Sequence, residues 1–95
     1  MPSLADGANP PGMIGELAWR VISENLQKVL LVDDSDLVPE VKFFAEEMKM
    51  MVEPTACLGL AAVRKCGIDL SGKRIGLVLT GGNMDLDKYA ALLAE

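Results

Sequence analysis

The chain has 95 residues, 51% of them hydrophobic, and nine basic against fourteen acidic side chains give a net charge of -5 with no histidine. That length holds at most one small domain. The acidic balance leaves no Lys/Arg stripe for nucleic acid or an anionic membrane surface, no apolar run approaches the roughly 20 residues of a membrane span, and the commonest general base and zinc ligand is missing.

In chain order, Met1 to Met13 holds Gly7, Gly12, Asn9 and the pair Pro10-Pro11, which is loop chemistry. It has no basic n-region and no apolar h-region, so no signal peptide is expected, and the expected setting is the cytoplasm. Ile14 to Leu26 places Leu17, Ala18, Val21, Ile22 and Leu26 at helical spacing, with Glu16, Arg20 and Glu24 opposite. Lys28 to Val32 is expected as a short strand, followed by Asp33, Asp34, Ser35 and Asp36 as a helix N-cap region. The next helix is expected from about Leu37 to Met50. Because Pro39 fits only in a first turn, its start is expected near Ser35 or Asp36. Glu46, Glu47 and Lys49 read as its solvated face, and Met48, Met50 and Met51 as core filler.

Val52-Glu53-Pro54 is a break, with Pro54 suited to opening a helix. Thr55 to Lys65 is apolar nearly all round, the pattern of a helix buried within a larger body, and Gly67 caps it. Asp69 to Lys73 reads as a polar turn, Arg74 to Leu79 as a buried strand, and Asp85 to Ala94 as a helix with Asp85 at its N-cap. The fold class is α/β, in one segment over residues 1–95. On one helix Cys57 and Cys66 would stand roughly 13 Å apart on opposite faces, beyond disulfide reach, so both are expected as buried, reduced core thiols. Nucleophilic cysteine chemistry is not expected without a His to activate it.

The stretch with chemical content is Thr80-Gly81-Gly82-Asn83. In an open α/β sheet, ligands bind beyond the carboxyl ends of strands. Glycine lets a ligand approach the backbone, and Thr80 offers one hydroxyl that donates or accepts. There is no Walker loop and no Gly-x-Gly-x-x-Gly fingerprint. Glu53 sits among Met50, Met51, Val52 and Ala56, where a carboxylate needs a partner. Asp33, Asp34 and Asp36 read as caps and solvated charges, and Asp85 and Asp87 as first-turn charges. No metal site is expected.

Ala5-Asp6-Gly7-Ala8, Val52-Glu53-Pro54-Thr55 and Thr80-Gly81-Gly82-Asn83-Met84-Asp85-Leu86 occur in the order and spacing of the C-terminal part of serine/threonine dehydratases. The chain most resembles the serine racemase and threo-3-hydroxyaspartate dehydratase branch of these fold-type II enzymes. The resemblance implies a fragment of the tryptophan synthase β-like fold, part of an open twisted sheet with flanking helices, and the C-terminal part of a large domain. It implies pyridoxal phosphate as cofactor, Thr80 as the hydroxyl that hydrogen-bonds the pyridine nitrogen, and Glu53 near the cofactor end of the site. It also implies β-elimination on a hydroxy amino acid, or racemisation of serine, in the complete enzyme.

The family's Schiff-base Lys motif, its Ser-Gly-Asn-His substrate loop and its glycine-rich phosphate loop have no match here. Lys28, Lys42, Lys49, Lys65, Lys73 and Lys88 all lack the Schiff-base context. No catalytic residue is therefore assigned, and the chain by itself is expected to be inactive and association-prone, with a complementing N-terminal polypeptide as a candidate partner. Either a truncated product or one part of a split enzyme fits. A small non-catalytic acidic α/β binding or regulatory module is the alternative.

Overall fold

A computed structural model of the chain describes residues 15–95. The Ala5-Asp6-Gly7-Ala8 motif, the Met1–Met13 loop and Ile14 lie outside them. Four α-helices follow in order: α1 (Glu16–Asn25), α2 (Asp34–Glu46), α3 (Leu58–Lys65) and α4 (Leu86–Ala94). A 3-10 turn, Pro54–Cys57, leads directly into α3. None is long and apolar enough to cross a membrane.

The core is built on α2. Leu37, Val41 and Phe44 recur at i, i+4 and i+7 and are buried, which gathers them in one stripe. Val52, Ala56, Cys57 and Ala61 close over that stripe, with Val32, Phe43, Leu58 and Leu60 packed on its margin. Helix α4 adds Tyr89 and Leu92 to the buried set and packs on α2. By contrast, α1 buries no residue and packs against no other helix among the described residues.

Local chemistry explains the helix ends. Asp33 is the N-cap of α2; its N–H donates to Asp36 Oδ2 at 2.8 Å, and the Asp36 N–H returns to the Asp33 carbonyl at 2.9 Å. Lys65, at the end of α3, reaches both carboxylates, at 3.0 Å to Asp33 and 2.9 Å to Asp36. The hydrogen bond from Lys65 holds the Asp36 carboxyl below its usual range, and in return lifts the Lys65 ammonium above its own. Past α2, Lys49 turns the chain back with φ 57°, and the Met50 N–H donates to the Phe44 carbonyl at 2.8 Å. Gly67 follows α3 with φ 69°, a conformation in which glycine has no Cβ to clash. The Leu70–Lys73 turn closes at 3.1 Å with Gly72 at φ 73°. Asp85 is the N-cap of α4, as its sequence suggests.

Several sequence expectations need correction. Lys28–Val32 and Arg74–Leu79 form no strand: no β-ladder exists among the described residues, and a strand is stabilised only by a neighbour that pairs with it. The α2 start falls at Asp34, so Pro39 lies in the second turn, where its missing N–H leaves the Ser35 carbonyl without its usual i+4 donor. Thr55–Lys65 is not one helix, because the Pro54-led turn winds more tightly before α3 begins. Nor is that segment buried all round: Ala56, Cys57 and Ala61 are buried, and Arg64 and Lys65 are exposed. Met48, Met50 and Met51 are exposed and outside the core. Both cysteines are free, but only Cys57 is buried and Cys66 is half-buried.

Candidate functional site

The Thr80 turn and the Glu53 segment, distant in sequence, meet in space. Glu53 precedes the Pro54–Cys57 turn in extended conformation. Its carbonyl accepts from the Ala56 N–H at 3.0 Å, and its own N–H points away from that turn to the Gly81 carbonyl at 3.2 Å. A Cβ on Gly81 would stand 3.2 Å from Glu53 Oε1. A Cβ on Gly82 would collide with the Met51 carbonyl oxygen. Leu77, in the segment leading to Thr80, lies against Gly59 of α3, where a Cβ would stand 3.3 Å from Leu77 Cδ2. The turn is thus seated from beneath by residues 51–53, and the segment before it by α3.

Thr80 itself is exposed, and its hydroxyl makes no hydrogen bond among the described residues. Glu53 is half-buried. Two residues beyond Glu53, the Thr55 hydroxyl is buried with no hydrogen-bond partner, a state that ordinarily costs about 1–3 kcal/mol. One end of the fold therefore carries a solvent-facing hydroxyl and a half-buried carboxylate around a glycine turn. The space that Gly82 leaves is filled by the protein's own Met51 carbonyl.

Two further features lay outside the sequence reading. Glu40, on the core face of α2, is buried and receives Arg64 Nε at 2.8 Å to Oε1 and 3.0 Å to Oε2. The Arg64 guanidinium also stands 5.0 Å from the centroid of the Phe43 ring. The only hint in the sequence was a carboxylate on the apolar stripe of α2. Cys57 lies close enough to Glu40 to feel its charge; burial first and that charge second push its thiol up to about 12. At neutral pH this keeps the thiol protonated. The Asp33 and Asp36 carboxylates are committed to Lys65, and among the described residues no group of three or more His, Cys, Asp or Glu is placed to hold a metal ion.

The chain belongs to the pyridoxal-phosphate dependent enzyme family, whose profile matches residues 1–81. It is 46% identical over 91 residues to the L-threo-3-hydroxyaspartate ammonia-lyase of Pseudomonas sp, covering 96% of this chain and 28% of that protein. The Saccharomyces cerevisiae protein of the same name is 44% identical over 92 residues, covering 97% and 28%. The serine racemase of Schizosaccharomyces pombe is 40% identical over 93 residues, covering 98% and 28%. The chain thus spans little more than a quarter of the length of these relatives. The cofactor of its family is pyridoxal phosphate. The family implies a tryptophan synthase β-like α/β architecture, and the described residues show helices and no strand.

Proposed function

We propose that the chain is the C-terminal segment, residues 1–95, of the large domain of a pyridoxal-phosphate-dependent ammonia-lyase or racemase acting on a hydroxy amino acid, and that it needs a complementing polypeptide to work. The observation that supports this reading is the exposed, unpartnered Thr80 hydroxyl on a glycine turn held against Glu53. In the complete enzyme the cofactor supplies an electron sink for charge that develops when the substrate loses its α-proton.

The chain's own residues contribute at the ring-nitrogen end. With the cofactor bound, the Thr80 hydroxyl would donate a hydrogen bond to the pyridine nitrogen. A neutral hydroxyl does not hold that nitrogen protonated, so the sink stays moderate, which suits prompt loss of a β-hydroxyl over long storage of negative charge. Glu53 walls that end through its contact with Gly81. Two of the chain's lysines are already engaged: Lys65 is held by Asp33 and Asp36, and the Lys49 ammonium is bound to the Glu46 carbonyl. The complementing polypeptide would bring the Schiff-base lysine, the phosphate loop and the grip on the substrate. It would also bring strands to pair with Lys28–Val32 and Arg74–Leu79, turning those unpaired segments into part of an open twisted sheet. The free thiols of Cys57 and Cys66 accord with a cytoplasmic setting.

Titration with pyridoxal phosphate tests the reading. The chain alone should give no saturable near-visible band that borohydride reduces. The chain mixed with the remaining portion of the Pseudomonas relative should give one, and Thr80→Val should weaken cofactor affinity while Thr80→Ser preserves it. A reducible lysine adduct formed by the chain alone would overturn it in favour of a self-sufficient cofactor-binding module.

A further inference from the structure

We propose that Gly82 is a positioning residue: by seating its Cα against the Met51 carbonyl it fixes the height of the Thr80 hydroxyl, with the Met51–Glu53 backbone as the seat. The inference rests on the reading of Thr80 as the donor to the pyridine nitrogen. Three contacts carry it. The Glu53 N–H to Gly81 carbonyl hydrogen bond, 3.2 Å, ties the main chain one residue past Thr80. Gly81 lies against Glu53 Oε1. Gly82 lies so close to the Met51 carbonyl that any Cβ would overlap it.

The obstacle at Gly82 differs in kind from the one at Gly81. A carboxylate end can swing aside. A backbone carbonyl cannot, because Met51 is held between the Lys49 turn and the buried Val52. A side chain at position 82 must therefore lift the turn off its seat, and Thr80 rises with it. A hydroxyl donor serves an acceptor only within about 2.5–3.2 Å, and displacements on the order of 1 Å at positioned groups are costly. So the Val-Glu-Pro segment acts on the cofactor end chiefly through its backbone, beneath Thr80.

Amide hydrogen exchange read residue by residue on the full chain tests the seat. The Glu53 N–H should be protected in the wild-type chain. Gly82→Ala should cost that protection on the order of tenfold, and Gly82→Ser likewise. Gly76→Ala, in the neighbouring segment with open space at its Cβ, should leave it unchanged. An unprotected Glu53 N–H in the wild type, or protection kept in Gly82→Ala, overturns the seat. Positioning is separated from mere folding in the chain completed by the remaining portion of the Pseudomonas relative, with pyridoxal phosphate as probe. Gly82→Ala should weaken affinity when Thr80 is present and add nothing in a Thr80→Val background. Equal losses in both backgrounds overturn the positioning role. A protected seat in a completed protein that never takes up pyridoxal phosphate instead removes the reading of Thr80, and Gly82's role toward the cofactor with it, while the seat itself stands.

Discussion

Arg64 Nε lies within 3.0 Å of both carboxylate oxygens of Glu40, on the one buried charged residue that α2 turns toward the core. Half-exposed Arg64 keeps most of its hydration, whereas Glu40 does not, so the two ends of the pair are unequal. Arg64→Ala should strand a buried carboxylate and destabilise by about 1–3 kcal/mol. The joint replacement Glu40→Leu with Arg64→Leu should recover most of that, since an apolar pair leaves no charge to desolvate. Urea denaturation followed by helical ellipticity checks both; a single variant no less stable than wild type would refute the account.

The Lys65 clamp on Asp33 and Asp36 predicts a stability plateau with two shoulders. Asp36 has its folded value depressed below 3.8, so its contribution is present above that pH and fades as pH falls through the folded value. Asp69, whose carboxylate accepts the Ser71 N–H at 3.0 Å, acts in the same direction. Lys65 is raised above 10.5, so its contribution is full below that pH and is lost as pH rises through the folded value. Lys65→Met should flatten both shoulders in melts taken across pH, and salt should flatten them too because the groups are exposed.

The two thiols should react at very different rates. With its thiol pushed up to about 12 and its surface fully covered, Cys57 should resist alkylation at pH 8 until the chain unfolds. Cys66, half-buried, should react first. Because the folded value of Cys57 exceeds its ordinary 9.0, this thiol favours the folded state below pH 9 and ceases to as pH climbs toward the folded value. Mass spectrometry after timed iodoacetamide exposure reads the order; simultaneous labelling in the folded chain would contradict it.

The isolated chain should associate. Leu17, Val29, Leu31 and Val78 are between 68% and 85% exposed, and the segments bearing three of them have unpaired backbone edges, both marks of association-prone surface. Light scattering should rise with concentration, and Leu31→Lys with Val78→Lys should suppress it. A sharp two-state melt of a wild-type monomer would be the contrary result.

Legibility in the sequence followed the range of the interaction. The Asp85 cap, Gly67 after α3 and the turn before Lys73 are set within a few residues, and the sequence pattern was enough for each; at α2 it gave the capping region Asp33 to Asp36 but not Asp33 as the cap. Pro39 misled because capping at Asp33 outweighs one missing hydrogen bond in the second turn. Lys28–Val32 and Arg74–Leu79 carry strand-like residues, yet pairing is non-local and no neighbour is at hand. The exposed methionines show that an apolar side chain is no pointer to the core when the helix ends at Glu46 and the chain doubles back at Lys49. At the candidate site, the Thr80 hydroxyl and the glycine turn were visible as composition. That Glu53 and Gly81 touch was not, because nothing local links them; the family resemblance alone set both at one end of a site. Met51 reads in the sequence as core filler and as a neighbour of Glu53, but its part beneath the turn is not legible there, since that part is carried by a carbonyl that every residue possesses.

The hydrogen bond between Glu53 and Gly81 closes a long loop that contains the whole of α3 and the Leu70–Lys73 turn. Loop closure of that span is opposed by chain entropy until the contacts inside it have formed. The seat beneath Thr80 should thus be assembled late in folding, after α3 has docked on α2, and should be among the first features to open when the chain is heated. Formation of the Glu53–Gly81 bond would then serve as a report on the folding of everything between residues 53 and 81.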